Sequence, residues 1–237
     1  MSAHISPSPL ERRSFLSRLS AGVTAFAATV AGGAATGTTG YAQSAAASFR
    51  PQLHEKDDWM DKVPGKHRMV FDTTNADRLG DALAFGNNFI RVNRNDYGLE
   101  NSDVAVIVVV RHNSTPFGYS DAIWAKYGAA ISKRANWVDP KTKEAAKANL
   151  FNASDYGVVL PNRGTTLDAL FKQGVQLAVC ATSTRGYAGA IAEATGGNTD
   201  TIFNELISNL VSPNARMVPA GIVAVNRAQE RGYSFVG

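Results

Sequence analysis

From about residue 66 onward, short apolar runs alternate with segments of helical periodicity. The clearest run is Val104-Ala105-Val106-Ile107-Val108-Val109-Val110, seven apolar and mostly β-branched residues without a break. A run of this kind marks a strand covered on both faces, as in parallel sheets. Gly174-Val175-Gln176-Leu177-Ala178-Val179-Cys180 reads as a second buried strand, and it ends on the chain's only cysteine. Lys66 to Asp72, Arg216 to Pro219 and Tyr233 to Val236 supply three shorter strands.

Helical spacing fills the intervals. Leu79, Ala82, Leu83, Gly86, Phe89 and Ile90 share one face of a helix over 76–92, and Thr73-Thr74-Asn75 before it offers capping chemistry. Ile123, Trp124, Tyr127 and Ile131 do the same over 120–131. Thr165 or Thr166 caps a short helix with Leu167, Leu170 and Phe171, closed by Gly174. Residues 187–194, 202–210 and 221–231 give three more. The polar stretch 93–101 is expected to be a loop. Residues 132–163 read as a basic insertion broken by Pro140 and Pro161, with one short helix over 142–150 and otherwise a solvated face.

Alternating strands and helices predict βαβ units around a parallel sheet, here five strands in one α/β domain over 66–237. In such sheets ligands sit outside the carboxyl ends of the strands. Those ends carry Asp72, Thr73 and Thr74, then Arg111, His112 and Asn113, then Cys180, Thr182 and Ser183, and lastly Pro219 and Gly221. A thiol, an imidazole, a guanidinium and several hydroxyls are therefore expected along one edge.

The first residues follow a different pattern. Glu11-Arg12-Arg13-Ser14-Phe15-Leu16 precedes a weakly apolar Ala/Gly/Thr/Val stretch and the small residues Ala45-Ala46-Ala47. This order of charged, apolar and small-residue regions is that of a bacterial export signal, and the arginine pair before Phe-Leu resembles the twin-arginine type. Residues 1–47 are thus expected to be a Tat signal peptide, and the remainder a periplasmic protein with no membrane association after cleavage. Residues 48–65 are expected to form an irregular arm that packs through Trp59 and Met60.

Outside the leader the chain holds 21 basic and 19 acidic residues, so it lacks the charge footprint of a nucleic-acid binder. A lone cysteine excludes an internal disulfide. No G-x-S-x-G, no phosphate-binding glycine loop and no C-x-x-C or H-x-x-x-H spacing is present, and no cofactor is implied. Metal binding by His112, Cys180 and Asp72 therefore lacks a spacing signature.

Cys180 admits two readings. It is a small buried apolar residue, or it is a thiolate nucleophile at the point where a strand turns into a helix. In the second, amide groups of a helix beginning near Thr182 face the sulfur, Arg111 or Arg185 supplies positive charge and His112 accepts a proton. Cys180 and His112 are the candidate catalytic residues. Arg111, Asn113, Thr182, Ser183, Arg185 and Thr73 are the candidate ligand contacts.

The strand ending in Arg111-His112, the strand Leu177-Ala178-Val179-Cys180, and the stretch Met217-Val218-Pro219-Ala220-Gly221-Ile222 through Gly232-Tyr233-Ser234-Phe235 resemble the DsrE/DsrF-like family over roughly residues 66–237. The resemblance implies a three-layer α/β sandwich with a mostly parallel five-stranded sheet, assembled as a homo-oligomer such as a trimer. It also implies sulfane sulfur carried as a persulfide on a cysteine, exchanged with a sulfur-donor or acceptor protein. Two features depart from the family: the export signal and the insertion over 133–163. The alternatives are a periplasmic protein that binds a small ligand or metal without catalysis, and a structural subunit with an inert Cys180.

Overall fold

The computed structural model describes residues 50–237. The export-signal expectation lies on residues outside that range. The described chain runs α1 (Trp59–Lys62), β1 (His67–Thr73), α2 (Ala76–Tyr97), β2 (Val104–Val110), α3 (Asp121–Ala135), α4 (Leu167–Phe171), β3 (Gln176–Cys180), α5 (Ala181–Thr195), α6 (Thr199–Ser208), β4 (Ala215–Val218), α7 (Gly221–Glu230) and β5 (Ser234–Val236).

All five strands pair in parallel, in the order β4-β3-β2-β1-β5. Every residue of β2 is buried. Its side chains therefore separate by parity into two cores. Val104, Val106, Val108 and Val110 join Phe71, Leu177 and Val179 under the helices α2 to α6. Ala105, Ile107 and Val109 join Val70, Ala178 and Val218 under α7, together with Met60 and Val63 of the N-terminal arm. The result is a three-layer α/β sandwich. Within the 50–65 arm, which forms helix α1 over Trp59–Lys62, Met60 is fully buried, and Arg216 lies over the Trp59 ring, 4.4 Å from its centroid.

The strand order fixes a switch point. The chain steps from β1 outward to β2, β3 and β4, then returns across the sheet to place β5 beyond β1. β3 leads into α5 on one face, whereas β4 leads into α7 on the other. Crevices that open between strands whose exits diverge are where ligands bind in open α/β sheets. Here that switch point lies between Cys180 and its register partner Val218.

Two local expectations are corrected. Residues 93–97 continue α2, because their polar side chains belong to a solvated helix side and Gly98 takes the left-handed cap at φ 67°. No α-helix forms over 142–150. Asp139 instead accepts the amide of Lys141 at 2.8 Å, and its own amide donates to Glu144 O at 2.8 Å, closing a turn that competes with helix.

The 132–163 segment is also more buried than a solvated face. Trp137 and Phe151 pack edge-on to Phe117 at 4.9 and 4.8 Å, and Phe117 stacks on Trp124. The carbonyl of Ala146 approaches α3 so closely at Gly128 that a Cβ there would lie 2.0 Å from it. The basic residues face water while the interleaved Trp137, Ala146, Leu150, Phe151 and Tyr156 enter the core.

Phe151→Ala should therefore cost about 3–5 kcal/mol of unfolding free energy, whereas Lys143→Ala should stay within about 0.5 kcal/mol. Urea denaturation of the two variants checks this. A pH effect follows from Asp139. Burial disfavours its charge, but hydrogen bonds from the Tyr156 hydroxyl and from the Lys141 and Thr142 amides more than offset that and hold its carboxyl below the ordinary range. The folded value lies below the unfolded one, so the stabilisation is present above the unfolded value and lost as pH falls through the folded one. Tyr156→Phe should shrink the fall in urea midpoint between roughly pH 5 and pH 2.

Candidate functional site

Side-chain parity brings the site together. Asp72 follows Val70, Arg111 follows Val109 and Cys180 follows Ala178, two residues on in each case. All three therefore leave the sheet toward the face that α7 covers. The Arg111 guanidinium forms a fork on Asp72: Nε donates to Oδ1 and Nη2 to Oδ2, each at 2.7 Å. Asp72's side chain is only 9% exposed. The first residue of α7 must be small here, since a Cβ on Gly221 would sit 2.6 Å from Arg111 Cβ. The Asp72 hydrogen bond raises the Arg111 pKa, burial opposes it, and the Asp72 and Cys180 charges add to the rise.

Cys180 is the N-cap of the fifteen-residue helix α5, and its Sγ accepts the amide of Ser183 at 3.4 Å. Ser183 Oγ in turn accepts the amide of His112 at 2.9 Å. His112 holds φ at 54°, a left-handed conformation uncommon outside glycine. Thr182 Oγ1 donates to the Pro219 carbonyl at 3.1 Å and so ties the exits of β3 and β4 across the switch point. Beneath the sulfur, Thr184 Oγ1 donates to the Cys180 carbonyl at 2.9 Å and accepts from the Tyr119 hydroxyl at 2.9 Å. Burial keeps Tyr119 protonated by pushing its pKa upward. Cys180 itself is 4% exposed.

The expected residues separate into two groups. Arg111, Cys180, Thr182, Ser183 and the His112 backbone meet at the switch point. The His112 side chain is on the exposed surface. Thr73 is fully buried, and its hydroxyl donates to Val109 O at 2.8 Å and lies 3.0 Å from Ser114 Oγ, fastening the loop after β2. Asn113 contributes its amide to Thr74 O at 2.9 Å. Arg185 is turned to α6, paired with Asp200 and lying over the Phe203 ring. Of the two arginines considered as charge partners for Cys180, Arg111 is therefore the one with a place beside it.

Ser114 and Thr184 escaped the sequence reading of the site, and Asp72 and Gly221, which it named at the strand ends, have roles it did not give them: Asp72 clamps Arg111 and Gly221 makes room for its stem. The signal for Asp72 was its parity with Val70, which aims it at the same side as Arg111. Among the described residues, no group of three or more His, Cys, Asp or Glu side chains is arranged to hold a metal ion.

The fold and site thus define a three-layer α/β sandwich protein with a cysteine at the topological switch point. Compared with known proteins, the chain matches no family model, and no curated protein matches it.

The clamp makes a signed prediction. Asp72→Asn removes a negative charge near the sulfur and frees the guanidinium, so native-state alkylation of Cys180 by iodoacetamide should speed up by about threefold to tenfold. Arg111→Met should slow it by a similar factor. Equal rates in both variants and the parent would mean that the pair does not act on the sulfur.

Proposed function

We propose that this protein carries sulfane sulfur on Cys180, as the resemblance to DsrE/DsrF-like proteins suggests. The observation that supports this most is the place of the sulfur: Sγ caps helix α5, accepts the Ser183 amide and sits beside Arg111. A helix N-terminus and a nearby cation both favour the thiolate over the thiol.

The step is an exchange of sulfur without net oxidation. The Cys180 thiolate attacks the outer sulfur of a donor persulfide, R–S–SH. The donor's S–S bond breaks, a new S–S bond forms on Cys180, and R–S⁻ leaves with the electron pair. An acceptor thiolate then attacks the outer sulfur of the Cys180 persulfide and regenerates the Cys180 thiolate. The Ser183 amide stabilises the sulfur anion at both stages, and Arg111 balances its charge. The proton of the persulfide stays on the transferred outer sulfur in both steps. Low exposure of Cys180 suits the role, because a persulfide kept from bulk water is spared from non-specific thiols.

The twin-arginine pattern Arg12-Arg13 is what supports a periplasmic site for this exchange, and we propose other sulfur-handling proteins as its donor and acceptor. We propose a homo-oligomer, with the trimer as the expected state. Among the described residues, no helix is long and apolar enough to cross a membrane.

Intact-mass measurement of the exported protein, isolated without reductant, tests the proposal. The expected result is an adduct of one sulfur atom that maps to Cys180 and is lost on reduction, followed by native-state alkylation. A protein that stays unmodified after exposure to a small persulfide, and alkylates only once unfolded, would sink the carrier model and leave Cys180 as a packing residue.

A further inference from the structure

A cleft lies away from the Cys180 site, between α3 and α5. It has a volume of about 460 Å³ and is lined by Ala130, Lys133, Arg134, Ala190, Glu193 and Ala194. That volume is within the range of small-molecule sites, about 300–1,000 Å³.

The placement of Arg134 is specific. Its guanidinium carbon stands 5.0 Å from the centroid of the Tyr187 ring, which is 1% exposed and so a fixed platform. A Cβ at Gly186 would lie 2.6 Å from Arg134 Nη2, so a larger residue there would move the end of the arginine side chain. The neighbouring cations on these helices have carboxylate partners: Lys126 with Glu205 and Arg185 with Asp200. Among the described residues, Lys133 and Arg134 have none, although Glu193 lines the same cleft.

Both cations lie in the last turn of α3, where the helix dipole favours positive charge. The dipole accounts for the sign of the charge. It does not account for a guanidinium held 5.0 Å from the Tyr187 ring centroid with no carboxylate partner among the described residues. A planar, pre-oriented guanidinium beside a lysine is suited to a phosphate-type head group, which takes a bidentate fork and a point charge together. The alanines of the cleft offer an apolar bed for the rest of the ligand.

We propose that the α3–α5 cleft binds a small organic anion, with its phosphate-type head on Arg134 and Lys133 and its body over Ala130, Ala190 and Ala194. Glu193 opposes the head group and limits its charge. The inference does not rest on the sulfur-carrier reading, and the two fail separately.

The test is an NMR titration of the full exported chain with phenyl phosphate and with inorganic phosphate, at constant ionic strength. The Arg134 Nε–H and Gly186 amide signals are followed. Saturable shifts are expected for both probes, tighter for phenyl phosphate. Arg134→Gln should weaken binding by at least about tenfold. Lys133→Gln should weaken it less, by about threefold, and Glu193→Gln should tighten it by about the same factor. All three side chains are exposed, so the variants should keep the parent's dispersed spectrum. Cys180→Ser should leave the affinities unchanged. Shifts that rise linearly without saturation for both probes, or an affinity indifferent to Arg134→Gln and Lys133→Gln, would overturn the proposal.

Discussion

The burial of β2 on both faces is the constraint from which the rest of the molecule follows. A seven-residue apolar strand cannot leave either side to water, so each face needs a helical layer. Covering both faces obliges successive connections to lie on opposite sides somewhere in the chain, and they diverge after β3 and β4. The switch point is thus not an added feature. It is the place where a doubly covered sheet changes the side on which it is being covered. The polar ends of β1, β2 and β3 gather there, at the boundary between the two helix layers.

What occupies the switch point is determined by a period of two. The residues that face α7 within the strands are Val70, Val109 and Ala178, all buried. One more step of the same parity carries each strand past its last core position, and the side chains there are Asp72, Arg111 and Cys180. The core therefore sets the direction of the polar groups that follow it. Arg111 needs a further provision, because its stem passes over the start of α7. Gly221 gives that room, and Asp72 takes both ends of the guanidinium fork. A Cys180 sulfur capped by the Ser183 amide completes an arrangement in which fixed donors, rather than water, face the reactive atom.

The strands and most helices were legible because their signals are local. β2 is found over the residues its apolar run marks, and Asn75 and Thr166 cap the helices they precede. The end of α2 was not legible, since Asn93 to Tyr97 are polar residues that a long solvated helix tolerates. The 132–163 segment misled for a related reason. Its lysines are exposed, and they drew attention from Trp137, Phe151 and Tyr156, whose spacing has no period because they are set by turns. The site was half legible. Strand ends could be read off as a group, but which arginine meets the cysteine is a tertiary fact. Arg185 is five residues from Cys180 in sequence and faces α6, while Arg111 arrives from another strand.

Helix α5 links the Cys180 site to the α3–α5 cleft. Its first turn presents an amide to Cys180, and its next turn presents Gly186 and Tyr187 to Arg134. Tyr119 stands between them: its hydroxyl donates to Thr184 within the first turn, and the Cys180 and Arg134 charges both act on it, in opposite directions. A helix that is packed at Thr184, Tyr187, Ala188 and Ile191 moves as a unit or not at all. Geometry at the sulfur and occupancy of the α3–α5 cleft share one mechanical support, even though the two sites share no side chain.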